Sequence, residues 1–352
     1  MVGLSVLVVD DSALYRKILA DLFSAMDGID SVTRAINGKD ALARMAEKPV
    51  DLVTLDLEMP ILDGLATLPQ IRARHPNAKV IIVSAYSRSG AEVTMRALEA
   101  GAFDFLTKPD FEDLETSQAK LGHRLTAMIQ PMLQTRTPQP ERSTQRSPPP
   151  PPVSVAPMPM DIRMIRAVGI GISTGGPSAL ARLLAKLNPN FSRPILVVQH
   201  MPPLFTQALA ESLDRQSKLE VVEAKSGQTV RAGRVYVAPG GAQMCVDAGD
   251  NGEIIRITDD PPEVFCKPSA DYLFRSMARI YDGRVMALVM TGMGNDGNRG
   301  AQLIKRRGGH VIAQDEASCV VFGMPREVIR QGVASEILSL EEIPNVLNRY
   351  FG

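Results

Sequence analysis

Short apolar runs alternate with amphipathic stretches in the first 134 residues. The runs are rich in Val, Ile and Leu, which is typical of strands buried on both faces of a parallel sheet. They predict strands at residues 5–9, 31–36, 51–55, 79–83 and 103–106. Helical periodicity predicts helices near residues 13–26, 38–47, 64–74, 90–100 and 111–133. Five strand–helix units in succession predict a doubly wound, flavodoxin-like α/β domain with a five-stranded parallel sheet.

The same alternation returns in the last 192 residues and predicts a second, larger α/β domain. Its strands are expected at residues 167–172, 195–199, 234–238, 285–290 and 309–313. Its helices are expected at residues 176–187, 204–216, 269–281, 297–307 and 325–331. Residues 243–258 carry Asp250-Asn-Gly between two apolar stretches, which favours an antiparallel β-hairpin.

A proline-rich segment at residues 135–160 separates the two patterns. It contains nine of the 26 prolines, five of them consecutive, and it has no periodic apolar residues. This composition predicts a semi-rigid polyproline II spacer. We therefore divide the chain into a first domain at residues 1–134, a linker at 135–160 and a second domain at 161–352.

Composition and charge exclude several classes of protein. Lys plus Arg and Asp plus Glu both number 39, so the net charge is zero and favours neither nucleic-acid binding nor a polybasic membrane anchor. No apolar run approaches the ~18–20 residues of a bilayer span, and the start of the chain lacks the cationic region of a signal peptide. Cys245, Cys266 and Cys319 are too few and too widely spaced for a disulfide framework or a CxxC zinc pattern. We expect a cytoplasmic protein with no structural metal, no nucleic-acid partner and no direct membrane insertion.

Charged and polar residues follow the predicted strands of the first domain. Asp10 and Asp11 end the first strand, and Asp56 ends the third. Ser84 ends the fourth strand, and Lys108 ends the fifth. Because the carboxyl ends of parallel strands share one edge of a sheet, we expect these side chains to converge. Three neighbouring carboxylates need a cation among them, and their oxygens suit Mg²⁺; a carboxylate so placed can accept a phosphoryl group.

These residues resemble those of the receiver domain of two-component response regulators, over roughly residues 1–125. The matching positions are Asp10, Asp11, Asp56, Ser84 and Lys108-Pro109. The resemblance implies that Asp56 is phosphorylated by a histidine kinase. It also implies that Asp11, Asp56 and the backbone carbonyl of Glu58 hold Mg²⁺ beside Asp10. Phe105 holds the position of the family's switch aromatic, and the resemblance gives Ser84 and Lys108 the task of binding the phosphoryl oxygens.

In the second domain, Ser173 directly follows a predicted strand and precedes a predicted helix. One interpretation is dinucleotide binding, but Gly169, Gly171 and Gly175 lack the GxGxxG spacing, and no acid follows about 20 residues on. A phosphate-binding loop is a further alternative, although no Lys follows as in a P-loop. The other interpretation is a nucleophile, since a glycine-flanked serine at a strand-to-helix turn exposes its hydroxyl beside backbone N–H groups.

A nucleophilic serine needs a base, and the second domain contains His200 and His310. His200 ends a predicted strand whereas His310 begins one, so the carboxyl-end rule favours His200. Asp296 lies in a glycine-rich segment after another strand and is the candidate orienting acid, although a plain Asn-Asp-Gly turn fits it about as well. Together with Ser173 these residues give the chain order Ser, His, Asp, in which His200 is the base and Asp296 holds its tautomer.

The motifs around these residues resemble the catalytic domain of CheB-family chemotaxis methylesterases, over residues 165–350. They are Ser173-Thr-Gly-Gly, Gln199-His-Met-Pro-Pro, Val237-Ala-Pro-Gly, Thr291-Gly-Met-Gly-Asn-Asp-Gly and Glu316-Ala-Ser-Cys-Val-Val-Phe-Gly-Met-Pro. The resemblance implies hydrolysis of γ-glutamyl methyl esters on methyl-accepting chemotaxis receptors and deamidation of receptor glutamines, without a cofactor in this domain. It assigns the triad to Ser173, His200 and Asp296, and an oxyanion-hole N–H to Met293.

Two other functions compete with this hypothesis. The first is a receiver-controlled scaffold whose second domain is inert, which the presence of all three triad residues disfavours. The second is a receiver-coupled oxidoreductase, which the failed dinucleotide fingerprint disfavours. We expect the first domain to inhibit the second until Asp56 is phosphorylated.

Overall fold

The structure is a computed structural model that describes residues 3–108, 114–136 and 162–352. The predicted linker lies outside these residues, apart from its first two positions, which end a helix. No helix among the described residues has both the length and the hydropathy that crossing a membrane requires.

The first domain is the predicted doubly wound α/β unit. Five parallel strands form one sheet in the order β2-β1-β3-β4-β5, which is the flavodoxin-like order. The strands are β1 (Leu4–Val9), β2 (Ile29–Ala35), β3 (Leu52–Asp56), β4 (Lys79–Ser84) and β5 (Asp104–Thr107). The helices are α1 (Ala13–Ser24), α2 (Gly38–Glu47), α3 (Gly64–Arg74), α4 (Arg88–Glu99) and α5 (Leu114–Arg136).

The second domain is built on a seven-stranded parallel sheet with the order β14-β13-β12-β6-β7-β9-β8. Its strands are β6 (Ala167–Ile172), β7 (Ile195–Gln199), β8 (Glu220–Glu223), β9 (Arg234–Val237), β12 (Val285–Val289), β13 (His310–Gln314) and β14 (Glu336–Leu338). The predicted hairpin is present as the antiparallel pair β10 (Gln243–Gly249) and β11 (Gly252–Thr258). The helices are α6 (Gly176–Leu184), α7 (Phe205–Gln216), α8 (Ala270–Ile280), α9 (Asn298–Arg306), α10 (Met324–Arg330) and α11 (Ile343–Phe351), preceded by a 3₁₀ turn at Ile162–Met164.

The predicted fold class is confirmed, and sequence analysis missed three elements of the second domain. Strands β8 and β14 lie at the two edges of the sheet and contain four and three residues, which is too short for a clear alternation. Helix α11 does carry a helical signal. Ile343, Leu347 and Phe351 recur at four-residue spacing and are all buried, and Pro344 occupies the first turn.

The order of the strands places the functional crevice. The chain leaves the central strand β6 towards β7 and returns to its other side at β12. Such a reversal is the topological switch point where α/β sheets open a crevice at the carboxyl ends of their strands. Loops after β6, β7 and β12 therefore meet at one place.

Two glycines of β6 are explained by packing. A Cβ added at Gly169 would lie 2.9 Å from the Phe274 ring, and one added at Gly171 would lie 2.7 Å from the Cβ of Ala270. Both residues belong to α8, which lies directly against β6. These glycines let the helix approach the strand, and they supply no phosphate-binding loop.

Candidate active site

Ser173 lies at a tight turn between β6 and α6. Its carbonyl accepts a hydrogen bond of 2.8 Å from the Gly176 N–H, and its own N–H donates to the Thr291 carbonyl at 2.9 Å. Gly175 adopts a left-handed φ of 74°, which lets the chain turn into the helix within two residues. No described residue forms a hydrogen bond with the Ser173 hydroxyl.

His200 follows β7, next to the end of β6, and its backbone N–H donates to the Ile172 carbonyl at 3.2 Å. Its Nε2 lies 2.8 Å from Asp296 Oδ2, and its Nδ1 lies 3.6 Å from the Sγ of Cys266. The fold thus brings His200 and Asp296 into direct contact. Within the described residues, no hydrogen bond joins His200 to Ser173.

Asp296 is completely buried at the N-terminus of α8. Its carboxylate accepts hydrogen bonds from the Ser269 hydroxyl at 2.8 Å and from the N–H groups of Ala270 at 2.7 Å, Asp271 at 3.0 Å and Gly297 at 2.9 Å. The positive end of a helix stabilises an anion at this position. Asp296 is therefore held in one orientation, with its remaining hydrogen-bonding capacity directed at His200.

The contact between His200 and Asp296 changes the pKa of both groups. Burial alone would lower the pKa of His200, but the hydrogen bonds to Asp296 and Cys266 outweigh it and raise the pKa above its ordinary 6.5. Burial would raise the pKa of Asp296, but the hydrogen bonds from His200 and from the α8 backbone hold it below the ordinary 3.8. The pair therefore favours an imidazolium beside a carboxylate.

His310, the alternative base, lies outside the crevice. It begins β13, at the end of the sheet opposite to Ser173, and its Nε2 lies 2.7 Å from Glu336 of the edge strand β14. Burial lowers the pKa of His310 despite this carboxylate. The geometry leaves His310 a structural partner of the sheet edge.

The loop after β12 closes the other side of the crevice. A Cβ added at Gly292 would lie 2.7 Å from the Cβ of Ser173, so only glycine allows this approach. Thr291 links the loop after β6 to the loop after β13. Its hydroxyl donates to the Thr174 carbonyl and accepts from the Val321 N–H. Met293, which follows Gly292, is exposed, and its backbone N–H donates to no acceptor among the described residues.

Sequence analysis missed two side chains that contact the pair. Ser269 caps α8 and binds Asp296, and Cys266 contacts His200 from a loop whose neighbour Phe265 is fully exposed. The Ser269 position carries a detectable signal, because a serine before an amphipathic run is a helix N-cap. The contact of Cys266 depends on how a surface loop folds back, which no local pattern encodes.

The acidic residues of the first domain converge as expected from the sequence. Carboxylate oxygens of Asp10, Asp11 and Asp56 lie within 4.8 Å of one another. Lys108 Nζ bridges two of them, at 2.8 Å from Asp56 and 3.2 Å from Asp10. A pocket of about 250 Å³ opens beside them and is also lined by Glu58 and Ser84.

Crowding and burial leave excess negative charge in this pocket. Burial raises the pKa of Asp56 to about 6, and it also raises the pKa of Asp10, against the lowering effect of Lys108. Burial would lower the pKa of Lys108, but its hydrogen bond to Asp56 outweighs this and raises the pKa. One lysine thus does not neutralise three acids, and an oxygen donor set of this kind suits Mg²⁺.

The first domain packs against the second beside Ser173. The ring of Phe105 in β5 stacks on that of Phe205 in α7, with centroids 4.8 Å apart, and both rings are buried. The neighbouring Asp104 accepts a hydrogen bond of 3.2 Å from the N–H of Gly175, two residues after Ser173. Burial raises the pKa of Asp104 to about 6. One continuous cluster of buried apolar residues joins the two domains here.

Polar contacts lie beside the stacked rings of Phe105 and Phe205, which form the apolar seam between the two domains. Glu99, at the end of α4, accepts hydrogen bonds from Ser212 and Gln216 of α7 and lies 3.6 Å from the guanidinium of Arg215. The first domain therefore binds the second through α4 and β5, and its contacts reach the loop that carries Ser173.

Comparisons with known proteins agree with both halves of this arrangement. Residues 168–347 match the family model of the CheB methylesterase, and residues 6–118 match that of the response regulator receiver domain. The catalytic domain of Thermotoga maritima CheB methylesterase matches with 42% sequence identity and a TM-score of 0.51, covering 52% of this chain and 97% of that one.

Curated relatives match along the whole chain. A protein-glutamate methylesterase/protein-glutamine glutaminase of Desulfotalea psychrophila is 40% identical over 353 residues, covering 97% of each chain. One of Nocardioides sp. is 42% identical, covering 99% of this chain and 96% of its own. The chain is a receiver-domain protein with an α/β second domain. Within that class it belongs to the CheB methylesterase family.

We predict that the two histidines of the second domain titrate on opposite sides of the ordinary value of 6.5. The Asp296 carboxylate stabilises the His200 imidazolium, so His200 should keep its proton above pH 6.5, whereas the partly buried His310 should lose its proton below it. Asp296→Asn removes the negative charge and should lower the pKa of His200 while leaving that of His310 unchanged. Titration of the imidazole NMR signals measures both values. A pKa of His200 that is unchanged in Asp296→Asn would contradict this coupling.

Proposed function

We propose that this chain is a phosphorylation-activated hydrolase. In this proposal it demethylates glutamate γ-methyl esters on methyl-accepting chemotaxis receptors and deamidates receptor glutamines. The observation that carries the proposal is the hydrogen bond between His200 and Asp296 beside the free hydroxyl of Ser173, in a chain of the CheB methylesterase family. The matched relatives bear both activities in their names.

In the proposed mechanism Ser173 attacks the carbonyl carbon of the ester or amide. His200 in its neutral form, which becomes more abundant as the pH rises towards its raised pKa, accepts the serine proton and then gives it to the leaving methanol or ammonia. Because Nε2 faces Asp296, the accepting atom is Nδ1. Asp296 keeps the proton of neutral His200 on Nε2 and stabilises the imidazolium that forms. The Ser173 hydroxyl must therefore replace Cys266 as the partner of Nδ1 when substrate binds.

The tetrahedral intermediate carries a negative oxygen that needs donors. We assign the role of donor to the Met293 N–H. It lies in the loop that packs against Ser173, and it has no other acceptor among the described residues. Fixed backbone donors stabilise such an oxyanion without reorganising during the reaction. Water then attacks the acyl-serine, His200 accepts a proton from this water and gives one to the departing Ser173 oxygen, and a glutamate carboxylate is released.

The first test is release of methanol from methylated receptors. Ser173→Ala should lower kcat by roughly 10³–10⁶-fold, as loss of a catalytic serine does. The matched control is His310→Ala, which removes a partly buried histidine far from Ser173 and should retain activity. Retained turnover in Ser173→Ala would reject the triad, and absence of methanol release by the wild-type protein would favour the scaffold interpretation.

The proposal places phosphorylation at Asp56, with a histidine kinase as the phosphodonor. The residues present fit Mg²⁺, since Asp10, Asp11 and Asp56 form an under-neutralised oxygen cluster beside an open pocket. Asp11, Asp56 and the Glu58 carbonyl would hold the ion, which would neutralise carboxylate and phosphoryl charge when bound. Asp56 attacks the phosphorus, and Lys108 is close enough to pair with the new phosphoryl oxygens.

Asp56→Asn should abolish phosphorylation, because an amide oxygen is a poor nucleophile at phosphorus. Wild-type protein incubated with a small phosphodonor and Mg²⁺ should take up one phosphoryl group, and EDTA should prevent it. Intact-protein mass spectrometry at neutral pH measures the label. A phosphoryl group retained in Asp56→Asn would identify a different acceptor.

The seam between the domains supports control of the active site by the receiver. The Ser84 hydroxyl donates to the Gly90 carbonyl in the first turn of α4 at 3.1 Å, and α4 contacts α7. In the proposal, Ser84 turns towards the phosphoryl group and releases this bond, so that α4 and Phe105 repack. The docked state then loses contacts near Ser173, and the population shifts towards an open state that receptors can enter.

Glu99→Arg should activate the unphosphorylated protein. The change removes an acceptor for Ser212 and places a guanidinium beside Arg215, which should weaken docking. A loss of one to two kcal/mol corresponds to roughly a 5–30-fold shift in a two-state equilibrium. Methanol release without phosphodonor should therefore rise by several-fold.

The matched control is Glu92→Arg, on the same helix. Glu92 is exposed and faces Arg88 at 3.5 Å, one turn earlier in α4. This variant should behave like the wild-type protein. Equal rates of methanol release by the two variants, without phosphodonor, would show that the contact between the domains does not inhibit the hydrolase.

A further inference from the structure

His200 and Cys266 form a pair of metal-ligand donors in the crevice. His200 Nδ1 and Cys266 Sγ lie 3.6 Å apart, and donor atoms of His200, Cys266 and Asp296 all lie within 4.8 Å of one another. Cys266 is half-buried, and the ring of its neighbour Phe265 is fully exposed. The thiol is thus accessible from solvent at the edge of the site.

The distance between the two donor atoms is similar to that between two ligands of a tetrahedral zinc ion. Zn–S and Zn–N bonds of about 2.3 and 2.0–2.1 Å place the two donors about 3.5 Å apart at a tetrahedral angle. The separation of 3.6 Å is close to the length of this edge. The hydrogen bond from Nε2–H to Asp296 makes Nδ1 the nitrogen whose lone pair can bind a cation, once the imidazolium has given up its Nδ1 proton.

Asp296 occupies the place of an outer-shell ligand partner. Metal-binding histidines commonly donate their second N–H to a carboxylate, which fixes the ring and raises its basicity. Here that carboxylate is itself held by Ser269 and the first turn of α8. The arrangement that orients His200 for proton transfer therefore also orients it for binding a cation.

We propose that Cys266 Sγ and His200 Nδ1 bind Zn²⁺, with Asp296 in the outer shell and water in the remaining positions, and that the bound ion inhibits the hydrolase. On binding, the thiol S–H bond and the imidazolium Nδ1–H bond break, both protons leave to solvent, and an S–Zn bond and an N–Zn bond form. The Nδ1 lone pair is then no longer available for the Ser173 proton. Inhibition rests on the proposed function, whereas zinc binding does not.

The two cation sites of the chain differ in their chemistry. Thiolate and imidazole select Zn²⁺ over Mg²⁺, whereas the carboxylates of Asp10, Asp11 and Asp56 suit Mg²⁺. Excess Mg²⁺ can therefore fill the receiver pocket while the second site is titrated. A thiophilic ion bound at His200 would inhibit the hydrolase whether or not Asp56 is phosphorylated.

Binding is tested with Co²⁺, a spectroscopic substitute for zinc, on the full-length reduced protein in excess Mg²⁺. A thiolate-to-Co²⁺ charge-transfer band should appear in the near ultraviolet, saturate at one equivalent and vanish when Zn²⁺ is added. Cys266→Ser should abolish the band, and the control Cys245→Ser, on strand β10 of the hairpin, should keep it. Oxygen ligation in the receiver pocket gives no thiolate band. Absence of the band in the wild-type protein, or its survival in Cys266→Ser, would overturn the site.

Inhibition is tested by methanol release at rising Zn²⁺, with each variant compared to its own metal-free rate. The wild-type rate should fall and recover with a zinc-selective chelator that leaves Mg²⁺ in place. Cys266→Ser and Cys266→Ala should each need at least about ten-fold more Zn²⁺, the lower end of what losing an outer-shell partner costs. A cobalt band with zinc-insensitive turnover would overturn the inhibitory role. A band in a protein without any turnover would reject the proposed function and leave the metal site standing.

Discussion

The second domain depends on the compensation of one buried charge, the carboxylate of Asp296. A carboxylate removed from water is strongly destabilising unless hydrogen bonds and an opposite charge replace its solvation. The first turn of α8, the Ser269 hydroxyl and His200 supply that replacement. This requirement explains why α8 must begin inside the crevice. It also explains the close packing around the helix, where a Cβ added at Gly300 would lie 2.5 Å from the Cβ of Phe274.

Sequence patterns predicted the parts of the site that follow directly from strand positions. Parallel strands carry their carboxyl ends to one edge, so a residue just after β7 and one after β12 had to approach each other, and His200 contacts Asp296 as a result. The contact of Cys266 with His200 could not be predicted, because it depends on the path of a surface loop. The stacking of Phe105 on Phe205 joins residues of different domains and leaves no trace in either local pattern.

Each domain concentrates unlike donors at the carboxyl edge of its sheet. The receiver gathers carboxylates around Lys108, which makes a pocket for hard cations and phosphoryl groups. The second domain places imidazole, thiol and a buried carboxylate together, a donor set whose chemistry suits proton transfer and soft cations. The same topology therefore serves two kinds of chemistry, and the side chains at the strand ends decide which one.

The stacking of Phe105 on Phe205 bears on how far phosphorylation could raise the hydrolase rate. A protein gated by docking gains no more from activation than its closed fraction allows; if about 1% is open at rest, the rate can rise by at most about 100-fold. In the proposed gating, the stack of Phe105 on Phe205 would raise this ceiling by stabilising the closed form, and a tighter stack would demand more interaction energy from the phosphoryl group. The fit of this one pair of rings would then set both the basal activity and the largest possible activation.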